Sequence, residues 1–209
     1  MRSYGQYCAV AKALDVVGDR WNLLIVRELL LRGPSRYTDL LGGLPGIATN
    51  LLADRLRQLE QAEIVERYDA PPPVATTLFR LTPRGEELRP VVVELVRWGA
   101  PLMAEEVEGD VFRSEWVTLP AELYLHHAPD QPPVSIELRV DGEAIAIEAS
   151  GGEVRVAQHA AEHPDLTLSG PPRLVLGTVT GQLPLRRAIE LGLQHEGDLA
   201  AFERLQGPA

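Results

Sequence analysis

Between Gly46 and Asp69 the sequence GIATNLLADRLRQLEQAEIVERYD passes from helical periodicity straight into strand periodicity, a junction that few folds accommodate. Leu52, Leu56 and Leu59 recur at i, i+4 and i+7, which places them on one face of an α-helix, and Asn50, Asp54, Arg57 and Gln61 share the opposite face. The apolar set anchors the helix while the polar set looks outward. Thr49 and Asn50 stand at its N-terminal end, where the macrodipole and free N–H groups favour phosphate and where helix-turn-helix proteins present base-contacting side chains. In isolation an ordinary amphipathic surface helix carries the same pattern.

The flanks narrow the choice. Asp19 to Arg32 is apolar around most of its circumference and predicts a buried helix. Gly33-Pro34 ends it, a short helix is expected around Tyr37 to Leu41, and Gly42-Gly43-Leu44-Pro45-Gly46 supplies the turn before the next helix. Downstream, Ile64 to Asp69 and Thr77 to Leu81 read as two strands joined by a proline-stiffened linker. Helix, short helix, turn, longer helix and hairpin together predict a helix-turn-helix followed by a wing.

With Cys8, Gly18-Asp19-Arg20-Trp21, Gly46-Ile47 to Leu52, Arg55-Leu56, Leu59-Glu60, Val65-Glu66-Arg67, Pro73, Phe79, Leu81-Thr82, Gly85, Pro90 and Trp98-Gly99, the stretch from Tyr7 to about Met103 resembles the HxlR family of winged helix-turn-helix transcriptional regulators. The resemblance covers about half the chain. It implies a bacterial homodimer bound to double-stranded DNA at a nearby promoter palindrome, with the subunits joined through their first and last helices. It also implies that Cys8 is a candidate redox or electrophile sensor. The residues themselves equally allow a small buried thiol, with Lys12 one turn away to lower its pKa if the two face each other.

The last helix of this half agrees with a dimer. Pro83 follows Thr82, a good N-cap, and Leu88, Val92, Leu95, Gly99 and Leu102 then recur at heptad-like spacing, with Val91 and Trp98 widening the apolar surface. Leu88, Val92, Leu95, Trp98, Gly99 and Leu102 are therefore the expected dimerisation residues. Packing on its own domain is the other reading. Pro90 lies inside the helix and is expected to kink it.

DNA contacts can be expected by role. Arg36 and Tyr37, at the start of the short helix, and Arg55, on the flank of the recognition helix, are placed for phosphates; Thr49, Asn50 and Arg57 are placed for base edges. Arg67 and Arg80 at the base of the wing suit either backbone phosphates or cross-strand pairing with Glu66 or Asp69. The wing itself reads Pro73-Val74-Ala75-Thr76-Thr77, without the basic residue often found in the family, which argues against minor-groove insertion.

Charge divides the chain near residue 105. Residues 1–104 hold 13 Lys+Arg against 12 Asp+Glu, whereas residues 105–209 hold 7 against 18, giving the overall −10. The acidic half is expected to face away from DNA, leaving a locally basic surface to bind it. The expected domains are 1–104, for DNA binding and dimerisation, and 111–209. No run approaches the ~18 apolar residues that span a bilayer, and MRSYGQYCAVAK lacks the apolar core of a secretory signal. With a single cysteine, the expectation is a cytoplasmic protein without membrane partners.

In the second half Val134, Ile136, Leu138 and Val140 alternate, Asp141-Gly142 makes a turn, and Ala144 to Ile147 continue at strand period. Ser150-Gly151-Gly152 turns into Val154 and Val156, and Leu166-Thr167-Leu168 adds a strand, predicting an antiparallel meander. Arg173 to Val179, Leu185 to Leu191 and Asp198 to Leu205 read as helices. This order, with Pro164-Asp165-Leu166-Thr167-Leu168-Ser169-Gly170 and Gly197-Asp198, resembles the sterol-carrier-protein type 2 fold. The resemblance implies an apolar small-molecule effector held between sheet and helices; a filled core serving dimerisation or shielding is the alternative.

The fold class expected is thus α+β: an N-terminal winged helix-turn-helix and a C-terminal antiparallel sheet packed with sterol-carrier-like helices. His159-Ala160-Ala161-Glu162-His163 has a zinc-peptidase spacing, but it lies between a strand and Pro164 with too little room for the helix that chemistry needs. His126-His127 is expected at the surface. No nucleophile constellation, phosphate loop, metal site or cofactor site is recognisable. The expected function is a non-enzymatic, sequence-specific DNA-binding repressor whose second domain senses an apolar molecule. The alternative is a lipid or metabolite carrier whose winged domain serves dimerisation only.

Overall fold

The computed structural model describes residues 3–71, 76–104 and 109–205. The wing tip Pro73-Val74-Ala75 and most of the expected junction, residues 105–108, lie outside the described residues. The chain forms two compact units, residues 1–92 and 93–209. Among the described residues no helix is long and apolar enough to cross a membrane.

The first unit runs α1 (Ala9–Val17), α2 (Asn22–Arg32), α3 (Tyr37–Gly43), α4 (Thr49–Gln61), β1 (Val65–Asp69), β2 (Thr77–Leu81), α5 (Pro83–Glu86) and the start of α6 (Arg89–Gly99). Helix α2 begins three residues later than its apolar run suggested, because Asp19 to Trp21 make the turn out of α1. Its inward side carries Ile25, Val26 and Leu29, and also Asn22 and Glu28, all buried. The Glu28 carboxylate accepts from Arg27 at 2.7 Å and from Arg32 at 3.1 Å, so a buried charge is paired twice rather than left bare. It presses on the end of α3 closely enough to leave no room for a Cβ at Gly43. Leu40, Leu44, Leu52, Leu56, Leu59, Ile64 and Val65 supply most of the remaining core.

Strands β1 and β2 pair antiparallel from Val65 with Leu81 to Asp69 with Thr77. Ser35 adds a bridge to Phe79, with N–H···O distances of 2.9 and 2.8 Å, which ties the wing to the α2–α3 connection. The Thr82 hydroxyl accepts from Gly85 N–H at 3.0 Å and caps α5. The expected single kinked helix from Pro83 onward is instead two: α5 stops at Glu86 and α6 restarts at Arg89. Pro90 then lies in the first turn of α6, where a missing N–H breaks no intrahelical bond.

The second unit contains 3-10 turns at Ala100–Ala104 and Ser114–Val117, helix α7 (Thr118–Tyr124), and a sheet of β3 (Val134–Val140), β4 (Glu143–Ser150), β5 (Glu153–Ala157), β6 (Leu166–Ser169) and β7 (Gln194–Gly197) in the order β5-β4-β3-β6-β7. Asp141 and Gly142 both take positive φ, 51° and 82°, in the two-residue hairpin. Every pairing is antiparallel except β3 with β6, which is parallel. The expected sheet is therefore present, but it is not a pure meander. After β5 the chain does not add a strand at the open edge of β5; residues 158–165 cross the outer face of the sheet to the open edge of β3. Glu137, 2% exposed on that face, anchors the crossing by accepting Ala161 N–H at 2.9 Å. Residues 158–165 contain no helix, so His159 and His163 do not share a helical face.

Val134, Ile136 and Leu138, with Ile145, Ile147, Leu166 and Leu168 at registered positions, form the inner face. They share one buried core with residues of α8 (Pro172–Val179), α9 (Leu185–Glu190) and α10 (Leu199–Glu203). His127 is buried rather than at the surface: Gly152 N–H donates to its Nδ1 at 3.5 Å, and its Nε2 lies 3.0 Å from the Pro132 carbonyl oxygen.

Candidate nucleic-acid interface

Helix α4 is 13 residues long and divides as its periodicity requires: Leu52, Leu56 and Leu59 are buried, and Thr49, Asn50, Arg57 and Gln61 are exposed. Ala48 precedes it with no side-chain cap, which leaves first-turn N–H groups for an external acceptor. Before it, Ile47 N–H donates to the Leu44 carbonyl at 3.1 Å, and Gly46 takes φ 85°, a value that favours glycine.

Arg36 is exposed at the head of α3, and its backbone N–H donates to the Asp39 carboxylate at 3.0 Å. Tyr37 is half-buried, and its hydroxyl donates to the Thr49 carbonyl at 2.5 Å. It thus ties α3 to the first residue of α4, a link across 12 positions that no local pattern specifies. Arg57 is exposed and pairs with Asp54 one turn back at 2.5 Å. Arg67 reaches Glu60 on α4 at 3.0 Å, rather than Glu66 or Asp69. Arg80 does make the cross-strand pair with Glu66, at 2.7 Å, and lies 4.5 Å from the Tyr68 ring centroid.

Arg55 departs most from expectation. It does not face outward; its side chain is 16% exposed and pairs with Asp19, in the turn between α1 and α2. The outward face of α4 therefore offers Thr49, Asn50, Asp54, Arg57 and Gln61, without Arg55.

On α6 the expected stripe is rotated. Val92 is 5% exposed and belongs to the core, Leu88 and Gly99 are half-buried, and the outward residues are Val91, Leu95 and Trp98, followed by Leu102 in the 3-10 turn after α6, with Trp98 72% and Leu102 67% exposed. Helix α1 carries Val10 and Leu14 outward, with exposed Tyr7 just ahead of it, while Ala11 and Val17 turn inward. Asp15 accepts from the Tyr4 N–H and the Ser3 hydroxyl, each at 2.8 Å, which draws the N-terminal segment back along α1. The same bonds hold its carboxyl below the ordinary range.

Cys8 is exposed at the N-cap of α1, not a buried hydrophobe. The backbone N–H of Ala11, and after it that of Val10, lowers the thiol pKa below its ordinary value. A thiolate favoured in the folded state appears at lower pH than in the unfolded chain. Alkylation of Cys8 by iodoacetamide should accordingly rise at lower pH in native protein than in denaturant. Coincident pH–rate curves would refute the helix-terminus effect.

Residues 16–107 match the family model described as HxlR-like helix-turn-helix. The chain is 34% identical over 102 residues to the HTH-type transcriptional regulator sll1512 of Synechocystis sp., covering 49% of this chain and 75% of that protein. It is 38% identical over 86 residues to the HTH-type transcriptional regulator YodB of Bacillus subtilis, covering 41% and 76%. It is 33% identical over 87 residues to YvaP of the same species, covering 42% and 80%.

Proposed function

The chain belongs to the HxlR-like helix-turn-helix family of transcriptional regulators, and from that premise we propose that this DNA-binding regulator is a dimeric cytoplasmic repressor that reads a promoter palindrome. The observation that carries the reading is the outward face of α4. Thr49 and Asn50 are exposed at a helix N-terminus with no side-chain cap, and Arg57 is exposed two turns along, on a helix held by three buried leucines. Asn pairs bidentately with adenine and Arg with guanine in the major groove. The family is one of regulators rather than enzymes.

Residues 1–104 bind DNA and dimerise. The outward apolar residues of α1 and α6 support the joining of subunits through their first and last helices, which sets two recognition helices about one helical turn apart. Repression follows from occupying the site that polymerase needs. Residues 111–209 are the effector domain, sterol-carrier-like, holding an apolar small molecule whose binding changes the spacing of the two recognition helices. The sheet backed by α8, α9 and α10 supports this role. If a fatty-acid probe saturates the second unit and operator affinity does not change, the coupling is wrong. Cys8 gives the dimerising helix an exposed, activated thiol and is the candidate redox sensor.

Base readout and phosphate contact separate cleanly in titrations. Asn50→Ala or Arg57→Ala should each cost about 1–3 kcal/mol on operator DNA and little on unrelated DNA. Arg36→Ala should weaken binding to all sequences and lower the salt slope by about one. Equal losses on every sequence for all three variants would refute base reading by α4.

A further inference from the structure

We propose that Arg55 is a positioning residue: its ion pair with Asp19 sets the recognition helix against the α1–α2 turn, and it makes no phosphate contact. The inference rests on the DNA-reading role of α4. Arg55 projects from the middle of α4, next to Leu56 and one turn from Leu52 and Leu59, all three buried. Its Nε and Nη1 atoms are buried, and the Nη1 end meets the Asp19 carboxylate, itself 57% exposed.

The partner is held in a rigid turn. Gly18 N–H donates to the Leu14 carbonyl at 2.9 Å, and that carbonyl leaves no room for a Cβ at Gly18. Asn22 N–H donates to the Asp19 carbonyl at 3.0 Å, and Asn22 Nδ2 donates to the Val16 carbonyl at 2.8 Å. Asp19 is thus a fixed anchor, and a planar guanidinium with several donors is suited to transmit its position. Bidentate base reading depends on the placement of the helix that carries it. A guanidinium with two of its three nitrogens buried is poorly placed to reach a phosphate, whereas Arg57, though paired with Asp54, stands exposed.

The two roles predict opposite signs at Asp19. Asp19→Asn removes a negative charge near the DNA-binding helix, so if Arg55 contacted phosphate, freeing it would leave binding equal or tighter. A positioning pair predicts about tenfold weaker operator binding with an unchanged salt slope. Wild type, Asp19→Asn, Arg55→Gln and the double variant are titrated on operator and unrelated DNA across a salt series, with thermal melts alongside. The double variant should be no weaker than Arg55→Gln alone, and the exchanged pair Asp19→Arg with Arg55→Asp should recover part of the loss. Asp19→Asn binding as tightly as wild type, with Arg55→Gln lowering the salt slope by about one, overturns the proposal. Hydrogen exchange of the free protein decides it even if wild type prefers no DNA sequence: α4 amides should exchange faster in Asp19→Asn. Unchanged protection there overturns the positioning role without bearing on DNA reading.

Discussion

Trp98→Asp is expected to convert the protein from dimer to monomer and to lower operator affinity by roughly two orders of magnitude. Trp98 is 72% exposed, and Val91, Leu95 and Leu102 are exposed with it. Burying a large apolar side chain stabilises association by about 1.5–3 kcal/mol. In a two-fold interface each substitution counts twice, because the same patch appears on both subunits. A charge left in such a patch adds a desolvation penalty. The combined loss, on the order of 4 kcal/mol, is about a thousandfold in the dimer dissociation constant. A monomer holds one half-site only and gives up the gain from engaging two. Val92→Ala, by contrast, should lower stability while leaving the dimer intact, because Val92 faces its own core. Light scattering on both variants checks the pair of outcomes; a Trp98→Asp protein that stays dimeric would remove α6 from the interface.

Glu28→Ala should destabilise the first unit by about 3–5 kcal/mol, the cost of removing one partner from a buried ion pair. Arg27 and Arg32 both converge on this carboxylate, whose side chain has no exposure, and the substitution would leave a void beside Gly43 and two guanidinium groups short of their counter-charge. For a unit of this size the loss corresponds to a fall in melting temperature of at least about 12 °C. Glu28→Gln keeps the shape and should fall between the two. Melts followed by a probe in the first unit report the effect, and a Glu28→Ala melt within about 2 °C of wild type would show that the cluster contributes little.

What was legible in the sequence is what short-range patterns specify. The leucines of α4, the strands of the wing, the Thr82 cap and the Asp141-Gly142 hairpin each follow from residues within a few positions of one another. The rest is decided by residues distant in the chain. Arg55 lies on the flank of α4 by helical phase, and only the turn at Asp19, 36 positions upstream, supplies the partner that holds it there. Val92 shares the heptad-like spacing of Leu88 and Leu95, yet the core of its own unit takes it up, which spacing within the helix does not specify. Strand β7, Gln194 to Gly197, is exposed throughout and carries no alternation; it exists because β6 offers it a free edge. The parallel pairing of β3 with β6 depends on which of two open sheet edges, that of β5 or that of β3, the chain joins. His127 is buried by Pro132 and Gly152, which no local pattern links to it.

The central claim is that two copies of α4 read one palindrome, and footprinting the wild-type protein on the DNA upstream of its own coding sequence tests it most directly. The account predicts two protected patches about 10–10.5 base pairs apart, centre to centre, appearing together and lost when that sequence is scrambled. Weak, uniform protection that is the same on scrambled DNA would contradict it.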